Sequence, residues 1–341
     1  MIDYSQLNHY VPPVAEGISD TWKRAMARLG EYTAIVVRAL NVRPTAVALA
    51  AQTEAHLLVR ITTQHEHLIL RVAPEDDLAA YTYFCRALSG QAIPTTPIIQ
   101  RDLTRALVPF AYTLERHVPG VAAATLTADH LLHGAGRQAG RALRRVHRIT
   151  VPGFGRPTPG GRWPSGAWTT TLNRIGRSLA PPPVDSLVFG PAARAAVATI
   201  LNDPRLACPR PVLIHGAFGP HAVRCTAAEH VHLEALVEPG ALIGGDGLFD
   251  LACALRPVFP AAWREGFHDG YCAAAPLSED ETARLPLLRL LACYWGACNR
   301  YMRAEPHAAD HEEALRLLDD LCPGYALRPV AVETEAPAPV E

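Results

Sequence analysis

The sequence predicts an α+β chain of two unequal lobes, a small antiparallel sheet followed by a larger helical part. Two apolar, branched runs, HLLVRITT (56–63) and HLILRVA (67–73), flank a short polar turn and read as a hairpin. A third run, VPFAYTLERHVPG (108–120), reads as a strand ending in a turn, and beyond it the apolar residues fall at helical spacing. The 341 residues suffice for a large core and two lobes.

Ahead of the hairpin, residues 18–43 place Trp22, Met26, Leu29, Ile35 and Val36 at mostly helical spacings and read as one helix. After it, Pro74 and the acidic Glu75, Asp76 and Asp77 open a helix that runs to about Leu88 and closes at Gly90. The segment IPTTPII (93–99) is extended, because residues preceding proline avoid helix. Leu132, Ala135, Ala139, Ala142, Leu143 and Val146 share one face of a helix ending near His147. The Gly- and Pro-rich 151–168 must be a long loop, and PVLI (211–214), AVRC (222–225) and HLEALV (232–237) read as short strands around a compact site. Residues 247–321 read as helices. The organisation is then a mostly helical extension (1–44), a sheet lobe (45–116), a helical lobe (117–328) and a disordered tail (329–341) without internal repeats.

Composition narrows the function. With 49% hydrophobic and 19% charged residues the chain reads as soluble and globular, and a net charge of −1 offers no basic excess for nucleic acid or an anionic membrane. No apolar run approaches the roughly 18–20 residues that span a bilayer. The opening MIDYSQLNHYVPPVAEG does not read as a signal peptide, so a cytoplasmic protein is expected. The eight cysteines contain no C-x-x-C pair and read as free thiols, most of them within apolar stretches. Of 32 basic residues only Lys23 is lysine, so any role reserved for lysine has a single candidate.

The densest motif is L-I-H-G-A-F-G-P-H-A-V-R (213–224), followed by L-V-E-P-G-A-L-I-G-G-D-G-L-F-D-L-A (236–252). It resembles the aminoglycoside phosphotransferase and choline kinase family, whose pattern is H-G-D, four residues, Asn, then I-D and, further on, G-D-P-x-x-D-L-A. His215 and Gly216 match the H-G; Gly245, Asp246, Asp250, Leu251 and Ala252 match the second block without a gap. LLHGAGRQAGRALRRVHRITVPGFG (131–155) resembles the family's long helix and V-P-G-F-G loop, LVRITTQHEHLILRVAP its second and third strands, and YTLERHVPG its hinge. The resemblance covers about residues 45–300 and implies a protein-kinase-like fold with a cleft between the lobes near 110–120.

Phosphoryl transfer relies on positioning and on neutralising phosphate charge through a lysine, a base and Mg²⁺ ligands. The resemblance puts Ala217 at the general-base aspartate, and losing such a base costs about 10²–10⁴-fold. Ala222 stands for the metal-binding asparagine and offers no oxygen to a hard cation. Glu238 stands for the metal-binding aspartate, one methylene longer. Arg71 replaces the third-strand lysine, a swap that is not conservative at a phosphate. The helical glutamate corresponds to Tyr81, with Glu75 as the other candidate. Nucleotide contacts are implied at Arg71, Glu115 and His117. No glycine lies between Gly30 and Gly90, and Glu54, in the stretch that would cover the phosphates, would repel them.

Each of these residues also has a plainer reading. His215 reads as packing within its loop; His221 as a loop residue rather than a displaced base; His230, His232, His65 and His67 as solvated or packed rather than zinc-binding. Asp246 reads as a helix cap and Asp250 as a brace for the loop, while Glu238 divides evenly between residual metal binding and a structural bond. Glu265, Asp269, Glu305, Asp310, Glu312 and Glu313 read mostly as a solvated helix face.

The leading expectation is a pseudokinase, with the family fold but without its reactive groups, acting as a binding or regulatory module for a small molecule or protein. ATP and Mg²⁺ are doubtful cofactors. The alternative is an active ATP-dependent phosphotransferase using Glu238 for metal, Arg71 for phosphate and His221 as base. A third class is another nucleotidyl or phosphoryl transfer with a reoriented nucleotide.

Overall fold

The structure, a computed structural model, describes residues 2–8, 19–53, 55–240 and 242–325. Glu54 and the tail read as disordered therefore lie outside the described residues. In chain order the elements are α1 (Asp20–Ala27), α2 (Leu29–Ala39), β1 (Ala46–Gln52), β2 (Leu57–Thr62), β3 (His67–Ala73), α3 (Ala79–Ser89), β4 (Ile98–Asp102) and β5 (Ala111–Arg116). The helical lobe follows: β6 (Val121–Ala122), α4 (Asp129–Val146), α5 (Trp168–Leu179), α6 (Pro182–Val188), α7 (Pro191–Ile200), β7 (Val212–Leu213), β8 (Val223–Ala227), β9 (Val231–Leu236), β10 (Gly244–Gly245), α8 (Gly247–Ala254), α9 (Ala261–Cys272), α10 (Glu279–Met302) and α11 (Ala308–Leu321). The α+β class and the antiparallel N-terminal sheet are as the sequence predicts.

The first five strands form one antiparallel sheet in the order β1-β2-β3-β5-β4. Alternation divides its side chains between two faces. Leu57, Val59, Ile61, Leu68, Leu70, Val72, Tyr112 and Leu114 point outward and pack with Leu7, Trp22, Met26, Leu29, Val36 and Val37 in one cluster. The N-terminal helices thus cover the back of the sheet. On the inner face, Ala73 and Ala111 pack with Tyr81 and Cys85 of α3. All eight cysteines are free thiols.

Two expectations need correction. Residues 18–43 form two helices: Arg28, at φ −126° and ψ 21°, leaves the helical region. The break accommodates residues 2–8, since Gly30 N–H donates to Asn8 Oδ1 at 2.6 Å and a Cβ on Gly30 would collide with the Tyr4 carbonyl. β1 also escaped the sequence reading, because AVALAAQ is alanine-rich and alanine is depleted in strands.

In the helical lobe, α4 crosses α9 at backbone contact. A Cβ on Gly136 would meet the Trp263 carbonyl oxygen, and one on Gly140 would meet that of Phe267. Reciprocally, Cβ atoms on Gly266 and Gly270 would strike the carbonyls of His133 and Arg137. Backbone oxygens cannot swing aside as side chains can, so Gly140→Ala is expected to destabilise the protein by about 1–3 kcal/mol or more in urea unfolding. A loss below 0.5 kcal/mol, on the order of an ordinary surface substitution, would mean that the helices separate freely. The crossing fixes the end of α4, and with it His147, against the site described next.

Candidate functional site

Strand alternation puts Arg71 on the inner face of β3, between the lobes. Its guanidinium is buried, 3% exposed, and every nitrogen has a partner. Nε donates to Glu115 Oε1 at 3.0 Å; Nη1 donates to Glu238 Oε2 at 3.0 Å and to His56 Nδ1 at 3.2 Å; Nη2 donates to Glu238 Oε1 at 2.6 Å. The Tyr81 ring lies 4.2 Å from the guanidinium carbon. Glu115, itself 1% exposed, also accepts from the Thr113 hydroxyl at 2.5 Å. The forked guanidinium grips the Glu238 carboxylate with two parallel bonds, a geometry an ammonium cannot copy.

This bond ties the lobes together, because Glu238 follows β9 on the helical side. A second arginine acts at the same boundary. Arg156, in the long loop, donates to Asp76 Oδ1 at 2.5 Å and to Asp77 Oδ1 at 2.8 Å, just before α3. His56 stands between the two bridges: its Nδ1 accepts from Arg71 Nη1, and its Nε2 is 3.6 Å from Asp76 Oδ2. Two ion-pair groups, Glu115–Arg71–Glu238 and Asp76–Arg156–Asp77, therefore lie at the boundary between the sheet and the helical part, with the His56 ring between them.

The turn that begins at His215 lies beside Glu238. Asp250 of α8, fully buried, accepts the backbone N–H of His215 at 2.5 Å and of Gly216 at 2.7 Å, and His147 Nε2 stands 3.2 Å away. His215 Nε2–H donates to the Val237 carbonyl at 2.8 Å, and its ring packs edge-on against Phe84 and Phe218. The Val237 amide donates to the Ala222 carbonyl at 2.9 Å, so Ala222 is next to the residue preceding Glu238. Ala217 is exposed, and its carbonyl accepts from His221 Nε2–H at 3.1 Å. Glu238 itself sits at φ +53°, a left-handed conformation that costs a side-chain-bearing residue about 1 kcal/mol or more. The grip of Arg71 offsets that strain.

Electrostatics favours the paired state. Burial works against the Arg71 charge, but Tyr81, Glu115 and Glu238 outweigh it and hold its pKa well above the ordinary arginine value. Burial likewise works against Glu238, yet Arg71 outweighs it and holds the carboxyl below its usual range. Burial pushes both His215 and His221 down, His221 to about 4, although that ring keeps an exposed edge. Histidines that resist protonation when folded bind fewer protons than in the unfolded chain. Their stabilisation is complete above about pH 6.5 and is lost as pH falls toward their folded values. Tm should therefore drop between pH 7 and 5, and less so in His221→Gln. Glu238 adds its own loss below about pH 4.5, the ordinary glutamic acid range. A flat Tm from pH 7 to 5 would contradict this.

Three of the positions singled out in the sequence are thus brought together, but on one another. Arg71, Glu115 and Glu238 share a single ion-pair cluster. His117 is exposed beyond β5, its amide donating to the His67 carbonyl at 3.0 Å. Asp246 caps α8 through Leu248 N–H at 3.0 Å and pairs with Arg284. Lys23 lies on α1 at 3.5 Å from Asp20, and α1 packs on the outer face of the sheet. Glu75 is exposed, so Tyr81 is the α3 residue at Arg71. Among the acidic residues read as a solvated face, Asp310 is fully buried and paired with Arg256. Sequence reasoning missed His56, Asp76, Thr113 and Arg156, which no spacing connects.

The side chains at these positions do not fit a magnesium ion. Mg²⁺ wants near-octahedral oxygen ligands, whereas Ala222 supplies none and both Glu238 oxygens are engaged by Arg71. Among the described residues, no group of three or more His, Cys, Asp or Glu is arranged to hold a metal ion. Nor is any described helix long and apolar enough to cross a membrane.

The sequence profile of the phosphotransferase enzyme family matches residues 46–287. No curated protein matches the chain. Among solved structures, the chain resembles a thermostable mutant of aminoglycoside phosphotransferase APH(4)-Ia in ternary complex with AMP-PNP and hygromycin B. The identity is 16% and the TM-score 0.64, with 85% of this chain and 98% of that one covered. It also resembles APH(2")-IIIa in complex with GDP and kanamycin, at 11% identity and TM-score 0.55, over 85% of this chain and 97% of that one. These likenesses show the kinase-like fold.

Proposed function

This chain belongs to the phosphotransferase enzyme family, and from that premise we propose that it is a member without phosphoryl-transfer activity, serving as a binding or regulatory module. One observation carries the reading: Arg71 and Glu238, the charges left at the lysine and metal positions, neutralise each other across the cleft. A nucleotide would have to break that bridge and then find no second metal ligand at Ala222 and no base at Ala217. His221 is a weak substitute, since an imidazole with a pKa of about 4 has little tendency to take a proton at neutral pH. No observation favours the altered active site over this reading.

Thermal unfolding with ATP and Mg²⁺ tests it, because a ligand of the native state raises stability by mass action, about 2.7 kcal/mol at a hundred times Kd. No shift in Tm is expected at millimolar nucleotide, with or without metal. A metal-dependent rise that Glu238→Ala abolishes would overturn the reading in favour of an active ATP-dependent kinase.

A further inference from the structure

We propose that a cavity of about 340 Å³ in the helical lobe binds a small phosphate monoester. It shares no residue with the Arg71–Glu238 bridge, and the proposal does not depend on the reading above. The end of α4, the segment before β7, the start of α8, the end of α9 and the first turns of α10 enclose it.

Four arginines, Arg144, Arg148, Arg210 and Arg284, face this one concavity. Two are matched internally. Arg144 donates to Tyr271 Oη at 3.2 Å and to Glu281 Oε1 at 3.3 Å, and Arg284 pairs with Asp246 and, at 3.1 Å, with Asp280. The guanidiniums of Arg148 and Arg210 have no partner among the described residues. Like charges gathered around a recess repel one another more strongly than on an open surface, because the protein walls focus the field. Four guanidiniums stand against Glu281, Asp246 and the outlying, mostly exposed Asp280, so the recess keeps a positive excess of one to two charges and calls for a ligand carrying up to two negative charges. A phosphate monoester is such a dianion, and its tetrahedral oxygens accept from several arginine forks at once, whereas a single planar carboxylate matches one. The volume lies at the low end for ligand pockets, which limits the esterified group to a small one. The fixed Arg144 and Arg284 preorganise the wall, so that only two side chains must be ordered on binding.

Isothermal titration with phenyl phosphate and with inorganic phosphate, at ionic strength held constant with chloride, tests this. Saturable one-site binding is expected, weakened about tenfold or more in the Arg148→Ala, Arg210→Ala double variant and unchanged in Glu238→Ala. Both arginines are exposed and unpartnered, so the double variant should fold; circular dichroism checks that, and single glutamine variants give the same comparison. Absence of saturable binding overturns the proposal. So does equal affinity in the double variant, and so does equal heat from chloride, which would mean charge screening only.

Discussion

Replacing Arg71 with alanine should lower the unfolding free energy by about 3–5 kcal/mol, the range for removing one partner of a buried ion pair. The cost arises mainly at Glu115. Glu238 is about one-third exposed and can turn to water, but Glu115 is 1% exposed and would be left with one hydroxyl donor, from Thr113. Glu238→Ala should cost less, about 1–3 kcal/mol, since Glu115 still neutralises Arg71 while the buried Nη2 loses its acceptor. Arg71→Lys should fall between, because an ammonium restores the charge without spanning Glu115 and both Glu238 oxygens. Urea unfolding of the three variants checks the order. Equal losses in Arg71→Ala and Glu238→Ala would mean that the interlobe bond, and not the buried Glu115, holds the cluster.

Asp250→Ala should be comparably damaging, again by about 3–5 kcal/mol, through loss of the hydrogen bonds its side chain accepts inside the protein. The carboxylate is fully buried and holds the amides of His215 and Gly216, with His147 beside it. Alanine would leave the buried His215 N–H and the part-buried Gly216 N–H unpaired at the entrance of the turn. Asp250→Asn keeps the shape and one acceptor oxygen but opposes its NH₂ to an N–H, so it should recover only part of the loss. Amide hydrogen exchange at His215 and Gly216 provides a local readout. Both should lose protection in Asp250→Ala; unchanged exchange there would remove Asp250 from the role of brace.

The fold was legible where local chemistry decides it. The hairpin at 57–73 is written in branched apolar residues, and the spacing from His215 to Asp250 carries the turn and its brace in one contiguous stretch. What escaped depends on partners distant in the chain. The break at Arg28 serves a contact between Gly30 and Asn8, and β1 holds its place by pairing with β2 and not by its own alanine-rich sequence. At the site, the sequence presents Arg71 and Glu238 as two separate departures from the family pattern. Only the folded chain, which closes 167 positions between them, makes them partners. His56, Asp76 and Arg156 were invisible for the same reason.

The family profile begins at residue 46, yet the outer side of the first sheet is roofed by Leu7 and by residues of α1 and α2, from Trp22 to Val37. A chain trimmed to the profile's borders would expose Leu57, Val59, Ile61, Leu68, Leu70 and Val72 as an oily, two-dimensional surface, prone to stick to its own copies. The piece that covers the sheet on both faces is therefore wider than the piece that identifies the family.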